Sequence, residues 1–321
     1  MQCLKANHGV RVLLTIKAEY SGVVSMQAQV TIQNSRGDSL SGVMHQPDAG
    51  ATRAYVLFAH CFTCTKNIRA AVNIADALVR EGIGVLRFDF TGLGQSEGDF
   101  ADTHFSSNVQ DLVDAAGFMA EHYRAPEILV GHSLGGTAVL AAAHEIDSAV
   151  AVATIGSPAD AEHVLNLLED DLEAIESSGE ASVNLAGRPF HIRSDFVENV
   201  RSQSVRDGIS RLRKALLVMH SPVDELVSID EAASIYQSAL HPKSFITLDD
   251  ADHLLSRRRD SEYAGQVLAS WASRYLPDDL EHPPAAEFLE GAVTVAARPE
   301  QIFLTSVNAD GHAMLADEPE S

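Results

Sequence analysis

Residues 125–143 read APEILVGHSLGGTAVLAAA, an apolar run that meets a lone serine between glycines and passes into alanine-rich sequence. Gly131-His132-Ser133-Leu134-Gly135 has the spacing G-x-S-x-G. A serine on a sharp turn between a strand and a helix has its Oγ lifted clear of the sheet. Side chains two residues before and after would collide in such a turn, and the glycines remove them. The structural alternative is a serine N-cap followed by close helix packing at Gly135 and Gly136.

A serine hydroxyl is a weak nucleophile until a base takes its proton and a carboxylate orients that base. Two later segments supply candidates. KALLVMH (214–220) is followed by Ser221-Pro222-Val223-Asp224, and SFITLDD (244–250) by Ala251-Asp252-His253. The chain order is then Ser133, Asp224, His253, one of several orders in which such a set occurs. Among 14 histidines, His253 stands apart by following the last apolar run. Asp224 has rivals close by in Glu225 and Asp230, and Asp249, Asp250 and Asp252 crowd the histidine itself. An oxyanion hole also needs two N–H groups aimed at the developing charge. Leu134 N–H, directly after the serine, is one candidate. Phe62 N–H, in the His60-Cys61-Phe62 loop, is the other, with plain loop packing as the alternative for His60 and Phe62.

The order of elements places these residues at strand ends. Residues 27–33 and 40–45 alternate around an Arg36-Gly37-Asp38 turn and predict an antiparallel hairpin. Unbroken apolar runs follow at 54–60, 84–90, 127–131, 149–156, 214–220 and 244–250, of the kind buried on both faces of a parallel sheet. Helical stretches at 68–80, 107–122, 133–144 and 261–275 alternate with them, so the fold class is α/β, a mostly parallel eight-stranded sheet with helices on both faces. The rhythm breaks at 157–213, a length that suits a lid, read here as a small helical cap. In doubly wound sheets ligands bind outside the carboxyl ends of the strands, where the candidate residues stand.

Composition narrows the classes. With 45% apolar and 21% charged residues the chain reads as globular. A net charge of −22 would repel nucleic acid and anionic membrane surfaces. No Lys or Arg occurs from Ala125 to Gly187, and the carboxylates of 160–180 face water or a cationic partner. VLLTI near the N-terminus is too brief for a signal core or a membrane span, so no membrane span and a cytoplasmic location are expected. Three cysteines do not make a disulfide framework. Cys61 and Cys64 are read as small buried thiols in the pocket wall, in preference to a redox pair or a zinc site. No residue cluster calls for a cofactor or a metal.

GHSLG, the turn Asp89-Phe90-Thr91-Gly92-Leu93-Gly94-Gln95-Ser96 and the His60 loop together resemble the α/β-hydrolase superfamily over about residues 27–276. The resemblance implies the α/β-hydrolase fold and a carboxylesterase-like serine hydrolase acting on a small-molecule ester of short-to-medium acyl chain. Thioesterase, peptidase and cofactor-free haloperoxidase activities resemble family members with the same residues. More narrowly, AHCFTCTKN, RFDFTGLGQSEGDF and DDADHLLS are similar to bacterial proteins that fuse a hydrolase to an OsmC-like domain, and GHAMLADEP resembles the opening strands of that second part. OsmC-like peroxidases work through paired cysteines, whereas no cysteine follows Cys64.

The expected organisation is an irregular extension at 1–25, a hydrolase domain at 26–276, a linker at 277–287 and a partial OsmC-like β segment at 288–321. That last segment, with its Asp310-Gly311 turn, predicts two or three strands too few to bury their own apolar face. Packing on the body, pairing in a homodimer, or belonging to a truncated domain would each meet that need. From a different class, a non-catalytic binding or assembly module of the same fold remains the alternative to an enzyme.

Overall fold

Alternating segments and unbroken apolar runs fold into two parts of one sheet. The computed structural model describes residues 25–47, 52–185 and 187–276, and the backbone of strands at 4–5, 11–17, 293–297, 304–309 and 312–317. First come β1 (Leu4–Lys5), β2 (Arg11–Lys17), β3 (Ser25–Gln33) and β4 (Ser39–Pro47), each antiparallel to its sheet neighbours. Residues 1–25, expected to be irregular, therefore hold two strands. VLLTI is too short to cross a bilayer, but it is long enough to pair with the edge of β3.

The parallel part follows as β5 (Ala54–Ala59), α1 (Arg69–Arg80), β6 (Ile83–Phe88), α2 (Phe105–His122), β7 (Ile128–His132), α3 (Leu134–Ala142) and β8 (Ala151–Ile155). Every residue of β5, β6, β7 and β8 is buried, as expected of strands covered on both faces. Between β8 and the next central strand lie a 3₁₀ segment (Ala161–Leu168), α4 (Leu172–Ser178), β9 (Glu180–Leu185), β10 (Arg188–Arg193), α5 (Ser194–Ser202) and α6 (Val205–Ile209). The insertion is thus not purely helical. Its hairpin pairs Leu185 with Arg188 and Glu180 with Arg193, and Gly187 at the turn has φ of 79°. Val183, Leu185 and Ile192 point inward at the two-residue spacing of a strand, among polar neighbours that also suit a helix.

The set closes with β11 (Ala215–His220), α7 (Ile229–Ser238), β12 (Lys243–Thr247) and α8 (Arg258–Ala272). The sheet order is β1-β2-β3-β4-β6-β5-β7-β8-β11-β12, parallel from β6 to β12. The eight strands from β3 onward in this sheet are those expected from the sequence. Successive residues of β5 face opposite layers: Tyr55, Leu57 and Ala59 meet α2 and α3, while Ala54, Val56 and Phe58 meet α1 and α8. A separate antiparallel sheet of β13 (Val293–Ala297), β14 (Leu304–Ala309) and β15 (His312–Asp317) forms from the C-terminal residues, with Ala309 opposite His312. The linker at 277–287 and the Asp310-Gly311 turn lie outside the described residues. Among the described residues, no helix is long and apolar enough to cross a membrane.

Candidate active site

Ser133 stands between β7 and α3 with φ of 55° and ψ of −130°, a backbone conformation that costs a non-glycine residue about 1–3 kcal/mol. Its N–H donates to Ile155 O at 2.9 Å and its own carbonyl accepts from Gly136 N at 2.8 Å, so the sheet and the first helical turn hold the strain. Each neighbouring glycine is there for want of space. A Cβ on Gly131 would strike the Gly135 and Gly136 backbone, and one on Gly135 would strike the Ala59 and His60 carbonyls. A Cβ on Gly136 would strike the Ser157 side chain.

His253, in the turn after β12, places Nε2 3.0 Å from Ser133 Oγ and Nδ1 2.7 Å from Asp224 Oδ2. Asp224 Oδ1 accepts from Leu226 N and Val227 N, each at 2.9 Å. Burial alone would raise the Asp224 pKa. The His253 hydrogen bond, the Val227 N–H, the nearby imidazole charge and the Leu226 N–H together outweigh it and hold the carboxyl below its ordinary value. Its rivals do not meet the histidine in this way. Glu225, Asp230, Asp249 and Asp250 are exposed, and Asp252 Oδ1 caps Ser256 N at 2.8 Å.

Three supports had no signal in the motif reading. His132, the x of G-x-S-x-G, donates from Nε2 to the His253 carbonyl at 2.7 Å, fixing the backbone that carries the base. Burial lowers its pKa to about 4, with the neighbouring His253 charge adding to the effect, so it stays neutral. His220 Nε2 donates to Val227 O at 2.8 Å and braces the Asp224 turn from behind. Gly156 runs beside the Asp224–His253 pair, and its φ of 56° is a left-handed conformation that favours glycine. Of the groups that support these three residues, only the glycines around Ser133 carry a signal in the sequence.

The loop after β5 crosses the head of α3, as the clash of a Gly135 Cβ with Ala59 and His60 shows. Leu134 is the first residue of that helix, among the four whose N–H lacks an intrahelical partner. His60 Nδ1 donates to Cys61 O at 2.7 Å, and burial lowers the His60 pKa despite the Cys61 carbonyl and Asp89. Lys66, wholly buried at the loop's end, gives Nζ to Asp89 Oδ2 at 2.5 Å and its backbone N–H to Asp89 Oδ1 at 2.6 Å. Cys61 and Cys64 are not free thiols, because the structure joins them in a disulfide across the Phe62-Thr63 pair. Three residues of separation suit that bridge, whereas counting cysteines along the chain pointed away from it.

Phe62 meets the Phe100 ring at 5.4 Å and the Phe196 ring of α5 at 5.5 Å, while Phe100 meets Phe190 of β10 at 4.8 Å. The insertion therefore packs its aromatics against the candidate oxyanion loop. A cleft of about 440 Å³ lined by Gln110, His144 and Arg211 lies toward the other end of α3. Hydrogen-bond geometry, not recess size, locates the candidate site. No group of three or more His, Cys, Asp or Glu placed to hold a metal occurs among the described residues.

Comparison with known proteins follows the same lines. The family model described as serine aminopeptidase, S33, matches residues 50–176. The solved esterase domain of a Rhodothermus marinus protein is 44% identical, covering 78% of this chain and 98% of that one with a TM-score of 0.64. Palmitoyl-protein thioesterase ABHD10, mitochondrial, of Mus musculus is 24% identical over 64% of this chain and 70% of its own length. An uncharacterized Salmonella typhi protein, YfhR, is 23% identical over 59% of this chain, and the match spans 61% of YfhR, less than two thirds of its length.

Proposed function

Given that the chain belongs to the α/β-hydrolase superfamily and is a hydrolase, we propose that it cleaves carboxylic esters through Ser133, His253 and Asp224. The observation that carries this reading is the line from Asp224 Oδ2 through both nitrogens of His253 to Ser133 Oγ, at 2.7 and 3.0 Å. As the Ser133 oxygen attacks the ester carbonyl, His253 Nε2 takes its proton and the Asp224 carboxylate stabilises the imidazolium. Leu134 N–H and Phe62 N–H receive the carbonyl oxygen as it becomes an oxyanion. His253 then hands the proton to the leaving alcohol, and a water activated by the same nitrogen releases the acyl group.

Ser133→Ala should lower kcat for a short-chain p-nitrophenyl ester by about a million-fold. Retained turnover in the folded variant would refute the assignment, and failure of a fluorophosphonate to label Ser133 in the parent would favour a binding module. A thioester reading shares the same three residues and is favoured by the thioesterase among the relatives. Comparing kcat/KM for matched oxygen and sulfur esters separates the two.

For β13, β14 and β15, the reading is the opening of an OsmC-like part, with pairing in a homodimer as its rival. Light scattering before and after removal of residues 277–321 distinguishes them, since only the homodimer loses half its mass beyond the deleted residues.

A further inference from the structure

Cys61 and Cys64 form a reactive group beside the site that the proposed hydrolysis leaves unused. Their disulfide closes a small ring around Phe62 and Thr63, the loop segment that carries the second oxyanion N–H. The loop is pinned on both sides of this ring. Before it, His60 holds Cys61 O at 2.7 Å; after it, Lys66 holds both oxygens of Asp89 at 2.6 and 2.5 Å. Inside it, the Cys64 N to Cys61 O hydrogen bond at 3.1 Å and the disulfide fix the course of the backbone. The Phe62 side chain is buried against Phe100, just before α2, and against Phe196 of the inserted segment.

The two sulfurs differ in access. Cys61 is 6% exposed, whereas Cys64 is only partly covered, so an incoming thiolate reaches Cys64 first. A bridge between residues three apart removes less freedom from the unfolded chain than one closing a long loop. Its loss therefore bears on the local course of the loop more than on the fold.

We infer that the Cys61–Cys64 disulfide is a redox-responsive clamp on the oxyanion loop, opened by a dithiol, and that opening it slows turnover at Ser133 by releasing the Phe62 peptide. The inference rests on the reading of Phe62 N–H as an oxyanion donor. One thiolate of the dithiol attacks Cys64 Sγ, the protein S–S bond breaks, and Cys61 Sγ leaves with the electron pair and takes a proton from water. The second thiol of the reductant then attacks its own sulfur in the mixed disulfide, closing a cyclic disulfide and releasing Cys64 as a thiolate that is protonated in turn. Two electrons and two protons pass from the dithiol to the protein, and the dithiol is oxidised.

The test uses the full chain with dithiothreitol as the dithiol and a short-chain p-nitrophenyl ester as the substrate. Free thiols are counted by mass tagging, and on reduction the count rises by two. Over that change kcat should fall about tenfold with KM nearly constant and recover on reoxidation, a smaller loss than the ~100-fold or more of a deleted oxyanion donor. Cys61→Ser/Cys64→Ser should sit at the reduced rate in either redox state, with circular dichroism certifying its fold. If that variant fails to fold, the reduced parent gives the same measurement.

Two newly free thiols with unchanged kcat would overturn the inference, as would a folded double variant with the oxidised rate or a loss confined to KM. Failure of the hydrolase reading looks different, since oxidised parent would then be inactive or Ser133→Ala would keep its turnover.

Discussion

Asp89 and Asp224 each follow a central parallel strand, and each carboxylate is 1% exposed. Their partners differ in kind. Asp89 accepts from the Lys66 ammonium, Lys66 N–H and Gln95 N–H, a Cβ on Gly94 would strike its oxygens, and the His60 ring stands 4.0 Å off, beyond hydrogen-bond reach. Asp224 spends one oxygen on two backbone N–H groups and gives the other to an imidazole whose charge can change. A buried carboxylate tied to an ammonium and two backbone N–H groups holds a loop in place. One that faces a titratable ring can answer a proton moving on and off that ring. The two sites thus stand as anchor and participant, within the same sheet and at similar burial.

The largest effect expected from this contrast lies in activity. Asp224→Asn keeps acceptors for the Leu226 and Val227 N–H groups but presents a poor partner to His253, and kcat should fall about ten-thousandfold. Denaturant unfolding should register a change of only about 1 kcal/mol. Asp89→Asn should show the opposite pattern. Leaving the Lys66 ammonium buried beside a neutral amide should lower the unfolding free energy by about 3–5 kcal/mol, while kcat of the folded fraction changes far less than in Asp224→Asn. Equal kinetic losses in the two variants would dissolve the distinction.

Much of this is legible in the sequence. The apolar runs and their alternation with helices gave the sheet, and G-x-S-x-G with two later strand ends gave the three residues that the structure brings within hydrogen-bond reach. What escaped depends on distance in space rather than spacing in sequence. Lys66 and Asp89 lie 23 residues apart on different loops, and nothing in either segment alone marks an ion pair. His132 is hidden inside the motif because the pattern specifies only its glycines and serine, while its partner is a carbonyl 121 residues away. The β9–β10 hairpin escapes the sequence for a different reason. Glu180-Ala181-Ser182 suits a helix, and only pairing with residues 188–193 makes those residues a strand.

The smallest expected effect asks which side of the comparison sets the acid limit of the fold. His132 stands on the Asp224 side, and His45 lies beside Arg87 on the Asp89 side. Both are held neutral, with pKa lowered from 6.5 to about 4, first by burial and then by a nearby positive charge, His253 for one and Arg87 for the other. Between about pH 4 and 6.5 the unfolded chain binds these protons and the folded one does not, so their contribution is complete above pH 6.5 and is lost as pH falls toward 4. At pH 5.5 each should have given up about 1.4 kcal/mol of stability relative to pH 7.5. His132→Gln and His45→Gln should each remove that share of the pH dependence of urea unfolding, and the double variant about twice as much, since the sites are separate. If one substitution flattens the profile and the other leaves it unchanged, the acid limit belongs to a single side of the sheet.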